Sequence, residues 1–109
     1  MIHQSVSKLE EALYKRHMRL AHYEQKLRTL PGAGDSRTYN AYYYLIQAGL
    51  FSESGMSTKA LVVYMGNSYS TVKKALDYID GTNMLIKTRV GRENHYMLNL
   101  EMLDKSFLK

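Results

Sequence analysis

Eight side chains between positions 59 and 92 share one chemistry: they are hydroxyls and cations that donate hydrogen bonds. Tyr69, Ser70, Lys73 and Lys74 form the central group, Lys59 precedes it, and Lys87, Arg89 and Arg92 follow. The central group and Asp77 fall on one side of a helical repeat, with Val72, Ala75, Leu76 and Ile79 on the other. A small, hydroxylic and basic face backed by an apolar stripe suits a helix that packs on a core and offers its outer side to a polyanion. Hydroxyls and lysines can reach base edges or flanking phosphates, and arginines favour the negative potential of a narrow minor groove.

Catalytic chemistry lacks comparable support. His3, His17, His22 and His95 show no metal-ligand spacing, because His17 and His22 stand five residues apart, roughly 140° around a helix. Pro31-Gly32-Ala33-Gly34 lacks the lysine and hydroxyl of a phosphate-binding loop. No paired-carboxylate or nucleophile motif occurs, so we expect neither an enzyme nor a metal or other cofactor.

The elements that must position the eight side chains are legible in order. Ser57 caps a short helix, Thr58 to Met65, with Leu61, Val62 and Met65 inward, and Gly66 stops it. Asn67-Ser68 forms a turn, and Ser68 caps the helix that runs to Ile79. Asn83 tolerates positive φ and is a natural helix stop. Met84 to Arg89 and His95 to Leu100 read as strands, joined across the polar loop Val90 to Asn94 into a hairpin.

Met56 through Leu98, 43 of 109 residues, resembles the winged helix-turn-helix of bacterial, archaeal and phage regulators. The likeness rests on Leu61 and Gly66, on Ser68 with Ser70-Thr71-Val72, on Ala75-Leu76, and on Gly91-Arg92 with Tyr96 and Leu98. Two features depart from the pattern: Asn83 stands where glycine is usual, and Val62-Val63-Tyr64 is bulkier than the usual small residues. The resemblance implies that the helix from Ser68 to Ile79 enters the major groove of double-stranded DNA. It also implies that Arg89 and Arg92 place the wing on the backbone or in the minor groove, with Lys59 and Lys87 adding phosphate contacts.

Upstream, Ser5 to Leu30 contains no glycine or proline and carries a heptad stripe. Val6, Leu13, Leu20 and Leu27 recur every seven residues, with Leu9, Tyr23 and Leu30 on the adjoining position and Arg16 interrupting it. Ser7 with Glu10 resembles a capping box, which places the helix start there. The stripe fits either a helix packed on its own domain or a dimerisation helix. The second is favoured because so long a helix finds little core in so short a chain, and Val6, Leu9, Leu13, Leu20, Tyr23 and Leu27 are the expected dimer contacts.

Pro31 to Gly34 then breaks the chain, and Asp35 or Ser36 caps a second helix, Arg37 to Ala48, expected to end at a left-handed Gly49. Tyr39, Tyr42, Tyr43, Ile46 and Leu50 share a face of it. The tyrosine cluster Tyr39, Tyr42, Tyr43 and Tyr44 reads as core or dimer interface more readily than as a ligand pocket.

A formal charge of +5 with a pI near 9.4 favours polyanionic partners. Residues 1–34 and 57–97 each carry six basic and three acidic side chains, so two separate basic surfaces are expected. The chain has no cysteine, which fits a reducing cytoplasm, and no apolar run long enough to span a bilayer.

The expected fold class is mostly α with a small β-hairpin, a winged helix-turn-helix preceded by a long N-terminal helix. Residues 1–34 form the helix, dimerisation element and turn, 35–100 the DNA-binding domain, and 101–109 a C-terminal tail. The expected function is a homodimeric, sequence-specific double-stranded DNA-binding protein, a transcriptional repressor. Two alternatives stand beside it: a plasmid or phage accessory factor for replication, segregation or transfer, and a winged helix used as a protein-interaction module.

Overall fold

Helix α2 (Ser36–Phe51) is the hub of the fold, because it buries side chains on more than one side: Ala41, Tyr42, Leu45, Ile46 and Ala48 are all almost completely covered. Around it the chain runs α1 (Ile2–Lys26), a 3-10 turn (Leu27–Thr29), then after α2 the strand β1 (Met56–Ser57), α3 (Thr58–Met65), α4 (Tyr69–Asp80), β2 (Leu85–Val90), β3 (Glu93–Leu98) and α5 (Leu100–Phe107). This computed structural model describes the backbone of residues 2–52 and 54–107 and the side chains of residues 8–52 and 54–105. The architecture is mostly helical with one small antiparallel sheet in the order β1-β3-β2.

One core is shared by the helices and the sheet. Tyr23 and Leu27 arrive from the first segment, Leu61 from α3, Val72, Leu76 and Ile79 from α4, Tyr96 and Leu98 from β3, and Leu103 from α5. Tyr42, wholly buried, donates its hydroxyl to the carbonyl of Pro31 at 2.6 Å and so locks the corner between the first two helices. Burial pushes this phenol up to about 12 from its ordinary 10.0. The folded state therefore prefers the neutral phenol, and that preference is fully present below about pH 10 and lost as pH rises through 12. Tyr42→Phe leaves the Pro31 carbonyl without its partner and should cost about 1–3 kcal/mol in urea melts at pH 7. The variant's stability should also fall less steeply than the parent's between pH 10 and 12.

Helices α3 and α4, the left-handed Gly66 (φ 67°) and the positive φ of Asn83 (63°) agree with the sequence reading. Five expectations are corrected. The hairpin strands run Leu85–Val90 and Glu93–Leu98 across a two-residue turn, so Val90, Glu93 and Asn94 are paired strand residues and not loop, and Leu100 is helical. The chain is already helical at Ile2, so Ser7 and Glu10 are not a cap; the same spacing occurs inside any helix. Gly49 lies within α2 rather than ending it. A Cβ there would approach Leu100 to 3.1 Å, so this glycine serves the close crossing of α5 over α2.

Residues 100–107 form α5 rather than a tail. Asn99 caps it, its Oδ1 accepting from the backbone N–H of Met102 at 3.2 Å, and Leu103 is fully buried. The last correction concerns the heptad stripe. Tyr23 and Leu27 are core residues of their own domain, and Leu20 packs half-buried against it, so these are not free dimer contacts. Tyr23 also hydrogen-bonds Asp104, and Arg19 pairs with the same carboxylate at 3.4 Å, tying α5 to α1. Leu9 and Leu13 stay exposed; Val6 lies outside the described side chains.

Candidate nucleic-acid interface

Helix α4 owes its start to Ser68, whose Oγ accepts from the N–H of Thr71 at 3.3 Å and whose hydroxyl donates to Thr71 Oγ1 at 2.9 Å. Such a cap contributes about 1 kcal/mol and fixes the first turn. With Val72, Ala75, Leu76 and Ile79 committed to the core, the remaining face is settled: Tyr69, Ser70, Lys73, Lys74, Asp77 and Tyr78 are all exposed. Lys73 reaches back along this face to Asp77 at 3.4 Å. That pair is exposed on both sides and is therefore weak.

The hairpin is built by the same alternation. Leu85 opposes Leu98, Lys87 opposes Tyr96 and Arg89 opposes Asn94, and these residues share one face. At its root that face carries the buried Leu98 and Tyr96, and towards the tip it turns polar and cationic. Gly91 (φ 62°) and Arg92 form the two-residue turn, and Arg89 Nε donates to the Gly91 carbonyl at 3.4 Å. β1 pairs with β3 on its other edge, Met56 with Tyr96 and Ser57 with His95, which docks the start of α3 against the hairpin.

Together these elements enclose a cleft of about 230 Å³ between the start of α3, the first turns of α4 and the hairpin. Lys59, Tyr69 and Lys73 line it, with Thr58, Asn94 and Tyr96. Three of the eight expected residues thus meet. The others are distributed: Ser70 stands on the crest of α4, Lys74 lines a second cleft on the far flank of the helix, and Arg89 and Arg92 occupy the hairpin tip.

Lys87 stands apart. It pairs with Asp80 at the end of α4 at 2.8 Å, and this hydrogen bond raises the ammonium above its ordinary pKa. Lys59 is partly neutralised by Glu93 at 3.8 Å. Sequence reasoning passes over Thr58 and Asn94 because a lone polar residue in a cap or turn carries no periodic signal. It passes over Arg37 and Tyr78, which line the second cleft with Lys74, because nothing in the sequence shows that the start of α2 lies against α4.

No protein-family model matches the chain, and no curated protein matches it in sequence. Among solved structures it is similar to a MarR family protein from Bacillus stearothermophilus. The two are 16% identical and superpose with a TM-score of 0.52, over 99% of this chain and 75% of the other. The fold is a MarR-like winged helix. The overlay takes in nearly the whole chain, so α1 and α5 belong to the shared architecture and not only the part from Met56 to Leu98. In winged-helix terms α3 and α4 are the helix-turn-helix and β2–β3 is the wing. Among the described residues, no group of three or more His, Cys, Asp or Glu side chains is placed to hold a metal ion, and no helix is long and apolar enough to cross a membrane.

Proposed function

We propose that the chain is a sequence-specific double-stranded DNA-binding protein that works as a homodimer and acts as a transcriptional repressor. The observation that carries the reading is the shared cleft. The exposed first turns of α4, with Tyr69 and Lys73, border the same concavity as Glu93, Asn94 and Tyr96 of the wing, so the exposed helix face lies beside the hairpin, whose tip beyond the cleft carries Arg89 and Arg92. Ser70 and Lys73 are then the base-reading pair, Arg89 and Arg92 the wing contacts, and Tyr69 and Lys59 lie close to the phosphates. Lys87 is shared between an exposed, weak pair with Asp80 and a phosphate contact from the wing.

Duplication is supported by the exposed N-terminal half of α1, which touches the rest of the domain near its inner end through His17 on Phe51 and the Arg19–Asp104 pair. Residues 8–19 are exposed throughout, including Leu9, Leu13, Tyr14 and Met18. An isolated helical stretch of this length is marginal in water, and a second copy laid along it would cover the apolar stripe. Two copies reading half-sites about one helical turn apart give the contact area that one small module lacks.

Selection of bound duplexes from a random pool tests the reading. The selected sequences should share a motif with two-fold or repeated half-sites. A pool that returns no motif, or a protein that retains no duplex, contradicts it.

A further inference from the structure

The second cleft, on the flank of α4 away from the wing, brings together two further cations, Arg37 and Lys74. Both are exposed, and among the described residues neither has an acidic ion-pair partner, in contrast to Lys59, Lys73 and Lys87. The one acid lining the cleft is Asp35. Its Oδ2 is engaged by the N–H and the hydroxyl of Thr38, both at 3.1 Å, as the cap of α2. The cleft therefore presents two cations without ion-pair partners against one carboxylate, which keeps its charge but is turned to the cap of α2.

The wall that carries Arg37 is closely packed against α4. Gly32 (φ 77°) lies so close under the ring of Tyr78 that a Cβ there would meet it at 2.4 Å, and Tyr42 holds the neighbouring Pro31 carbonyl at 2.6 Å. The corner before α2 thus packs directly against α4, which sets Arg37 and Lys74 on two walls of one cleft.

Around α4, Lys73 and Lys74 point roughly 100° apart. One serves the wing-side cleft and the other the α2-side cleft. A helix is about 10–12 Å across and the major groove about 12 Å wide, so a helix seated there has a phosphate wall along each flank. From this we infer that Arg37 and Lys74 together hold a backbone phosphodiester on the groove wall opposite the wing, making the DNA contact two-sided. This rests on the DNA-binding reading above, and it gives Lys74 a positioning role rather than a base-reading one.

The test compares the full chain with Arg37→Ala and Arg37→Lys, by fluorescence anisotropy, on a selected duplex and on a scrambled duplex of equal length, between about 50 and 200 mM salt. Arg37→Ala should weaken binding to both duplexes by a similar factor, about tenfold, leaving their ratio unchanged. Its log K against log salt should be shallower by about 1 per bound copy, and Arg37→Lys should keep most of the slope. Equal affinity and slope in Arg37→Ala, while Lys73→Ala weakens binding, overturns the inference and leaves the DNA-binding reading standing. A change in the selected-to-scrambled ratio overturns it too, because that marks a base contact. Failure of the unmodified chain to bind any duplex overturns both. Arg37 is exposed, so its variants should melt as the parent does, which a thermal scan verifies.

Discussion

A chain carrying Leu9→Glu and Leu13→Glu should run as a monomer in light scattering at micromolar concentration, where the parent should run as a dimer. It should bind a two-half-site duplex at least about 100-fold more weakly. The reason lies in the course of one stripe. Leu9, Leu13, Leu20, Tyr23 and Leu27 share a helix face to within about 80°. At the C-terminal end that face is buried in the domain core, Tyr23 and Leu27 at 1% and 0% exposure, whereas at the N-terminal end Leu9 is 63% and Leu13 41% exposed.

The same pattern thus continues past the edge of the domain. A second chain would cover it, and paired glutamates on the stripe would repel across the two-fold axis. Neither leucine belongs to the buried core, so the melting temperature of the monomeric variant should reflect the absence of the dimer and not a damaged fold. The penalty on DNA binding follows because two tethered modules bind at a high effective concentration that two free ones lack. A parent that is already monomeric, or a variant that still dimerises, contradicts this expectation.

The second large effect is on α4 itself. Lys73→Ala with Lys74→Ala should weaken DNA binding by about 10- to 100-fold at moderate salt and flatten its salt dependence by about 0.9 for each phosphate no longer neutralised. The folded state should scarcely notice: Lys73 contributes only an exposed pair with Asp77, worth at most about 1 kcal/mol, and Lys74 has no acidic partner among the described residues. The two single variants should separate in kind. Lys73, beside Ser70 and Tyr69, should alter which sequences are preferred, and Lys74 should weaken all sequences alike. Unchanged binding of the double variant in a mobility-shift titration would move the reading to a winged helix that engages protein partners.

How much of this is legible in the sequence depends on whether the controlling interaction is local. Caps, turns and periodic faces are local, and the segment from Ser57 to Asn83 can be read almost to the residue: Ser57 and Ser68 cap, Gly66 and Asn83 take positive φ, and Val72, Ala75, Leu76 and Ile79 turn inward. Gly49 misleads because a glycine needed for a close crossing looks in sequence like one that ends a helix; Leu100, which requires the space, is 51 positions away. The short α5 escapes for the same reason, its cap Asn99 and anchor Leu103 having little meaning until α1 and α2 are in place. The heptad stripe is apolar as its spacing says, but periodicity cannot tell which end of a helix meets its own domain.

At the candidate site, residue types are legible and groupings are not. Lys73 and Lys74 are adjacent in the chain yet open onto different clefts, and Lys87, one of eight similar cations and hydroxyls in sequence, lies beside Asp80 at the end of α4.

The central claim, that α4 and the wing bind double-stranded DNA by sequence, is tested most directly by titrating the unmodified chain against its selected duplex and a scrambled one across a salt series. Log K should fall linearly with log salt, with a slope steeper than about −4 for the bound dimer, and the selected duplex should be preferred by about 10³-fold or more. A salt-independent affinity, or equal affinity for the two duplexes at every salt concentration, would contradict it.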